Sequence, residues 1–202
     1  GNLLGRRING QNEGNGAAVR ITGTGANPAI SNIVGGPSQA NQGVCDRYCN
    51  TIVNSSIAGV DLVGTPPGDT PAGGDGGADE GTTIAGNWIG IFDAAGSTAP
   101  NAVAAKLGDS LETSFGTGLD QDRGNVIAGN TKGIDQGTGT TSVSILDGNV
   151  FGISPDGENW VKNGSWNAHL GGSDTLGGGA FVQNSTFGPS PVGIEIAGPR
   201  AN

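Results

Sequence analysis

One five-residue phrase recurs at long intervals: Gly1-Asn2-Leu3-Leu4-Gly5, Gly86-Asn87-Trp88-Ile89-Gly90 and Gly148-Asn149-Val150-Phe151-Gly152. After a polar loop, each is followed by a short apolar segment ending in Gly. These are Ala18-Val19-Arg20-Ile21-Thr22-Gly23, Ala104-Ala105-Lys106-Leu107-Gly108 and Asn167-Ala168-His169-Leu170-Gly171. A second such segment comes later in each module: Gly59-Val60-Asp61-Leu62, Gly133-Ile134-Asp135-Gln136 and Gly193-Ile194-Glu195-Ile196. Between them lie Asn50-Thr51-Ile52-Val53, Asn125-Val126-Ile127-Ala128 and Phe181-Val182-Gln183-Asn184. Internal similarity of this kind marks a chain whose units stack on their neighbours, with loops free to lengthen on one side. Three modules begin near residues 1, 86 and 148 and span 1–85, 86–147 and 148–202 of one domain, each with about two coils.

The apolar beads are two to four residues long and sit between Gly, Asn, Asp and Ser, the signature of many short strands. No window sustains an apolar period of 3.6 residues with capping signals, so helix is not expected. The 41 glycines, about three times the ordinary share, follow no G-X-Y period, which excludes collagen. Alternating apolar and polar residues even within three-residue beads send one side chain inward and its neighbour outward. Gly and Asn at the bends are expected to take left-handed backbone angles. These features predict an all-β, right-handed parallel β-helix (a solenoid) of about six coils over residues 1–202, with long variable loops at 65–81 and 91–101.

Residues 82–90, Thr-Thr-Ile-Ala-Gly-Asn-Trp-Ile-Gly, and 124–130, Gly-Asn-Val-Ile-Ala-Gly-Asn, carry a resemblance. They resemble the right-handed β-helix repeats of large bacterial surface and secreted proteins, within the wider pectate-lyase-like superfold. The resemblance spans nearly the whole chain and implies a fold, not an activity. The chain departs from the pattern in its acidic loop and in the aromatic-bearing segment 157–166.

Aligning the Gly-bounded beads puts Arg20, Asp61, Lys106, Asp135, His169 and Glu195 in one outward column whose sign alternates at each step. Opposite charges facing each other across strands fix register, whereas like charges would oppose it. The column reads as a structural charge ladder, with His169 as its third cation rather than a general acid or base.

A net charge of −9 argues against nucleic acid and anionic membrane surfaces as partners. No run of 18 apolar residues is present, so no membrane span is expected. The sequence opens on Gly1, as a mature or excised piece would. Cys45 and Cys49 read as a small disulfide pinning a turn in an oxidising compartment; free thiols or half of a metal site are the alternatives.

Several clusters are candidate sites. Asp69, Asp75, Asp79 and Glu80 lie in the Gly/Pro-rich loop 65–81, where four carboxylates would suit calcium or form a solvated acidic loop. Calcium is the single cofactor candidate. Asp120 and Asp122, with Lys106 or Asp135 approaching them, are catalytic candidates, since glycosidases need paired carboxylates and lyases a base beside a carboxylate-bound metal. An Asp-x-Asp before a Gly is equally an ordinary turn. Trp160 and Trp166 are candidates for stacking on sugar rings, or for packing against the coil. Asn54, Asn163 and Asn184 begin glycosylation sequons.

The function expected is an extracellular or cell-surface structural or adhesive module, non-enzymatic. Both ends of the sequence fall inside a repeat, so unpaired edges would be covered by further coils of a larger protein or by other copies, head to tail, in a filament. The alternatives are a polysaccharide lyase or glycoside hydrolase of the pectate-lyase-like superfold, and a carbohydrate-binding module.

Overall fold

The computed structural model describes residues 1–7, 9–23, 29–63, 79–108, 110–111, 113–116, 124–136, 144–171 and 180–197. The first coil comprises β1 (Leu3–Leu4), β2 (Asn15–Thr22), β3 (Ala29–Ile30) and β4 (Ile33–Gly35). The second repeats it with β5 (Thr51–Ile52), β6 (Ser55–Val63), β7 (Asp79–Glu80) and β8 (Thr83–Ala85). The third contains β9 (Trp88–Ile89), β10 (Ala105–Leu107), β11 (Ser110–Leu111) and β12 (Thr113–Phe115). The fourth has β13 (Val126–Ile127), β14 (Ile134–Asp135) and β15 (Ser144–Asp147), and the fifth β16 (Val150–Phe151), β17 (Trp166–Gly171) and β18 (Ala180–Gln183). A sixth turn supplies β19 (Thr186–Phe187) and β20 (Val192–Ala197).

Each strand pairs in parallel with its equivalent one coil along. The first sheet runs β1-β5-β9-β13-β16-β19, the second β2-β6-β10-β14-β17-β20 and the third β4-β8-β12-β15-β18, with β3-β7-β11 as a small sheet beside them. The protein is a parallel β-helix, and helix is confined to one 3-10 turn, Ala40–Gln42, among the described residues.

Two-residue strands suffice because one side chain enters the core while its neighbour leaves it. In the first sheet Leu4, Ile52, Ile89, Ile127, Phe151 and Phe187 share an inward column. Phe151 and Phe187 end it with parallel rings 4.7 Å apart. The third sheet contributes Val34, Ile84, Phe115 and Leu146, and the second Val60, Leu62, Leu107, Ile134 and Leu170, all in one buried cluster. These parallel columns, rather than any single long element, are the core.

The outer face of the first sheet is covered at its middle, where Trp88 and Val126 are buried, while Leu3 and Thr186 at its two ends are exposed. Residues 36–50 fold over it, and Trp88 donates its indole N–H to the Ala40 carbonyl at 2.8 Å. Trp88, Val126, Ala128, Ile91, Ala40 and Cys49 form a second buried cluster there. A Cys45–Cys49 disulfide closes the end of the covering loop.

Bend geometry differs from expectation in one respect. The left-handed position before the first-sheet strands is taken by Gly86 (φ +66), Gly148 (φ +69) and Asn184 (φ +50). The asparagines that follow the glycines, Asn87 and Asn149, are not left-handed and do something else.

Candidate functional site

The residue preceding each first-sheet strand is Asn2, Asn50, Asn87, Asn125, Asn149 or Ser185. Stacking brings them into one row. The backbone N–H and Nδ2 of Asn2 both donate to Asn50 Oδ1 at 3.0 Å. Asn50 repeats this onto Asn87 Oδ1 at 3.2 and 3.0 Å, and Asn87 onto Asn125 Oδ1 at 3.1 and 3.0 Å. Asn125 continues onto Asn149 Oδ1 at 3.1 and 2.9 Å, and the Asn149 N–H ends on Ser185 Oγ at 3.2 Å. The remaining Nδ2 proton turns inward to a backbone carbonyl: Val34 and Ala85 for Asn87, Ile84 for Asn125, Phe115 for Asn149. Asn87, Asn125 and Asn149 are fully buried. An amide supplies both the donors and the acceptor that a buried corner needs, which neither a carboxylate nor an alkyl group does.

A second row lines the other end of the same strands. The Ser55 N–H donates to Asn101 Oδ1, Asn101 Nδ2 to Asn130 Oδ1, Asn130 N–H and Nδ2 to Asn163 Oδ1, and Asn163 Nδ2 to Asn167 Oδ1, at 2.9–3.2 Å. The sequon residue Asn163 is therefore buried inside this row, with its Nδ2 also on the Ile127 carbonyl.

The second sheet sets Arg20 opposite Asp61, Asp61 opposite Lys106, Lys106 opposite Asp135, Asp135 opposite His169 and His169 opposite Glu195. Arg20 donates from Nε and Nη2 to Asp61 Oδ2 at 3.0 and 2.8 Å. Asp61 is buried beneath that guanidinium. His169 Nδ1 meets Asp135 Oδ1 at 2.9 Å, and its ring lies 5.3 Å from that of Trp166. Lys132 Nζ sits 4.9 Å over the Trp166 ring. The Arg20–Asp61 ion pair and the His169–Asp135 hydrogen bond are thus joined in register by Lys106, which is exposed between Asp61 and Asp135.

The two candidate tryptophans part company. Trp160 is 71% exposed, at one end of the antiparallel bridge Ile153–Trp160, whereas Trp166 is half-buried in the second sheet. The loop before Trp160 stacks on its equivalent two coils earlier. Asp156 N–H donates to the Ala94 carbonyl, and Asn159 Nδ2 to that of Ala95. That earlier loop touches residues 6–12 in turn through Arg6, whose guanidinium lies 3.5 Å over the Phe92 ring.

Two carboxyls in these loops lie below the ordinary aspartate range. For Asp93, burial pushes the value up but is outweighed by hydrogen bonds from Ser97 and from the Gly96 and Ala95 N–H groups. For Asp156 the Ser154 hydroxyl is the main cause, followed by the Glu158 N–H.

Other candidates remain apart. Asp120, Asp122, Asp69 and Asp75 lie outside the described residues. Asp79 and Glu80 form β7, paired to Ala29–Ile30 and Ser110–Leu111, so their backbone belongs to a sheet and not to a loop. Among the described residues no group of three His, Cys, Asp or Glu side chains converges as metal ligands would. No described helix is long and apolar enough to cross a membrane.

Sequence reasoning missed the asparagine rows, although their signal was present. Asn stands immediately before the first-sheet bead in five coils out of six, more regular than a turn preference alone requires. Comparison with protein families, curated proteins and solved structures returns no match.

Proposed function

We propose that this chain is a structural or adhesive β-helix module acting outside the cell, a rigid segment rather than a catalyst. The observation that carries this is the unbroken Asn2-to-Ser185 row, which joins all six coils through side chains that a binding site would need free. The second-sheet column is committed in the same way, Asp61 to Arg20 and Asp135 to His169 of the neighbouring coils. The Cys45–Cys49 bond supports an oxidising location. At about 4.8 Å per coil the six coils make a rod segment about 29 Å long.

Incubation with acidic polysaccharides, monitored for unsaturated and reducing ends, tests the reading. The protein leaves the polymers intact; turnover would replace this reading with the lyase or hydrolase alternative.

One observation favours a second reading, a carbohydrate-binding module. Trp160 presents an exposed indole on a loop braced by its neighbours, the arrangement that stacks on sugar rings. Glycan-array binding lost in Trp160→Ala and kept in the parent would support it.

A further inference from the structure

Three Asn-Gly pairs occur in the sequence, beginning at Asn9, Asn15 and Asn163. In such a pair the glycine nitrogen can attack the side-chain carbonyl carbon of the asparagine, because no Cβ on the following residue obstructs it. Closing the resulting succinimide ring needs a side chain free to fold back and a Cα–C bond free to turn. The fold treats the three pairs differently.

Asn163 meets neither condition. It is fully buried, its Oδ1 accepts from the Asn130 N–H and Nδ2, and its own Nδ2 donates to Asn167 Oδ1 and the Ile127 carbonyl. The Gly164 N–H is held on the Asn130 carbonyl. Asn15 is exposed, but it opens β2, where its N–H donates to the Asn54 carbonyl and its carbonyl accepts from Ser56 Oγ. Those bonds keep its backbone extended, a conformation that ring closure has to leave.

Asn9 differs from both. It is exposed in the hairpin closed by the Arg6–Asn12 bridge, and among the described residues its own N–H and carbonyl make no hydrogen bond. Its Oδ1 accepts from the Gln11 N–H at 3.1 Å, which folds the side chain back along the Gly10 peptide and draws electrons from the carbon under attack. Its Nδ2 is held only by Gln11 Oε1, itself exposed. The Gly10 N–H donates to the Arg7 carbonyl at 2.9 Å. That bond lies in the peptide plane whereas attack comes from its face, and an exposed turn opens at little cost.

We propose that Asn9 is a self-modification site of this chain. The Gly10 nitrogen bonds to Asn9 Cγ, and the amide nitrogen leaves as ammonia with the proton the glycine gives up. Water then opens the succinimide at either carbonyl, leaving aspartate or isoaspartate. Each conversion sets a new carboxylate beside Arg6 and Arg7, and the isoaspartyl form lengthens the main chain by one carbon. Arg6 Nε holds the Gly10 carbonyl at 3.0 Å while its guanidinium covers the Phe92 ring, so the added length falls on the anchor between this hairpin and the loop of the third coil. The asparagine rows stay untouched.

The test incubates the folded chain of residues 1–202 at mildly alkaline pH, digests it under acidic conditions and reads the peptides by mass spectrometry. The peptide holding Asn9 should gain the mass difference between amide and acid and split into aspartyl and isoaspartyl forms. It should do so roughly tenfold or more faster than Asn15, and roughly a hundredfold or more faster than Asn163, whose reaction waits on opening the stack. In denaturant the three rates should converge. Asn9→Gln, which would need a larger ring, should abolish the change at this position, with circular dichroism confirming the parent's fold. Asn15 or Asn163 converting as fast as Asn9 in the folded chain, an Asn9 that stays intact there, or a ranking that persists unchanged in denaturant overturns the proposal.

Discussion

Replacing Asn125 with Ala cuts the buried row at its middle, and its cost follows from the bonds removed. The side chain accepts from Asn87 N–H and Nδ2 and donates to Asn149 Oδ1 and the Ile84 carbonyl, four bonds in all. At about 0.5–1.5 kcal/mol net each, their loss amounts to roughly 2–6 kcal/mol. The wounds are not equal. Ile84 O keeps the Gly116 N–H and Asn87 Nδ2 keeps Val34 O and Ala85 O, but the Asn87 N–H is left buried with no acceptor. That orphan belongs at the costly end, about 1–3 kcal/mol by itself. We expect Asn125→Ala to lose about 3–6 kcal/mol, a large part of an ordinary domain's stability. Asn2→Ala, at the exposed end of the row, removes a single side-chain bond and should cost under about 1 kcal/mol. Denaturant unfolding followed by circular dichroism measures both. Equal costs for the two variants, or a loss below about 1 kcal/mol for Asn125→Ala, would refute the reasoning.

Opening the Cys45–Cys49 disulfide, with a reductant or as the double Ser variant, should cost about 2 kcal/mol for so short a loop. It should also shift tryptophan emission to the red as the cover over Trp88 loosens, and unchanged emission would mean that the disulfide does not hold it. Gly86→Ala should cost about 3 kcal/mol or more in thermal melts, since φ is +66 and a Cβ would lie 2.1 Å from the Gly36 carbonyl oxygen. Acid should destabilise the fold through Asp93 and Asp156: their folded pKa values are depressed, so the stabilisation is complete above about pH 4, the unfolded value, and is lost as pH falls through the folded values. Carbon-detected NMR titration should place both carboxyls below the aspartates of a denatured sample, and midpoints at or above the denatured value would contradict the loop geometry.

Much of the coil was legible because short-range physics dictates it. Inward and outward residues alternate even in Trp88–Ile89 or Val126–Ile127, and in a parallel stack equivalent beads need only be aligned to become neighbours. Arg20, Asp61, Lys106, Asp135, His169 and Glu195 could be placed in one column for that reason. Asn54 and Asn184 do take the left-handed angles expected at bends, but the asparagines directly before the first-sheet strands were misread, because such angles explain a Gly-Asn pair equally well from sequence. The structure gives that angle to Gly86 and Gly148 and turns the following amides into buried rungs. Nothing local foretold the cover over the first sheet either. Trp88 is outward by alternation, and its burial depends on residues 36–50, a whole coil earlier. Trp160 and Trp166 are six residues apart, yet one ends in a loop and the other in a strand, a difference set by where the coil resumes.

Hydrogen exchange of the side-chain amides, read by NMR in heavy water, tests the central claim most directly. The account predicts that the Nδ2 protons of Asn87, Asn125, Asn149, Asn130 and Asn163 persist long after those of Asn2, Asn9 and Asn184 have vanished, because reaching them requires opening the stack. Loss of the buried set as fast as the exposed set would contradict a solenoid locked by rows of asparagine.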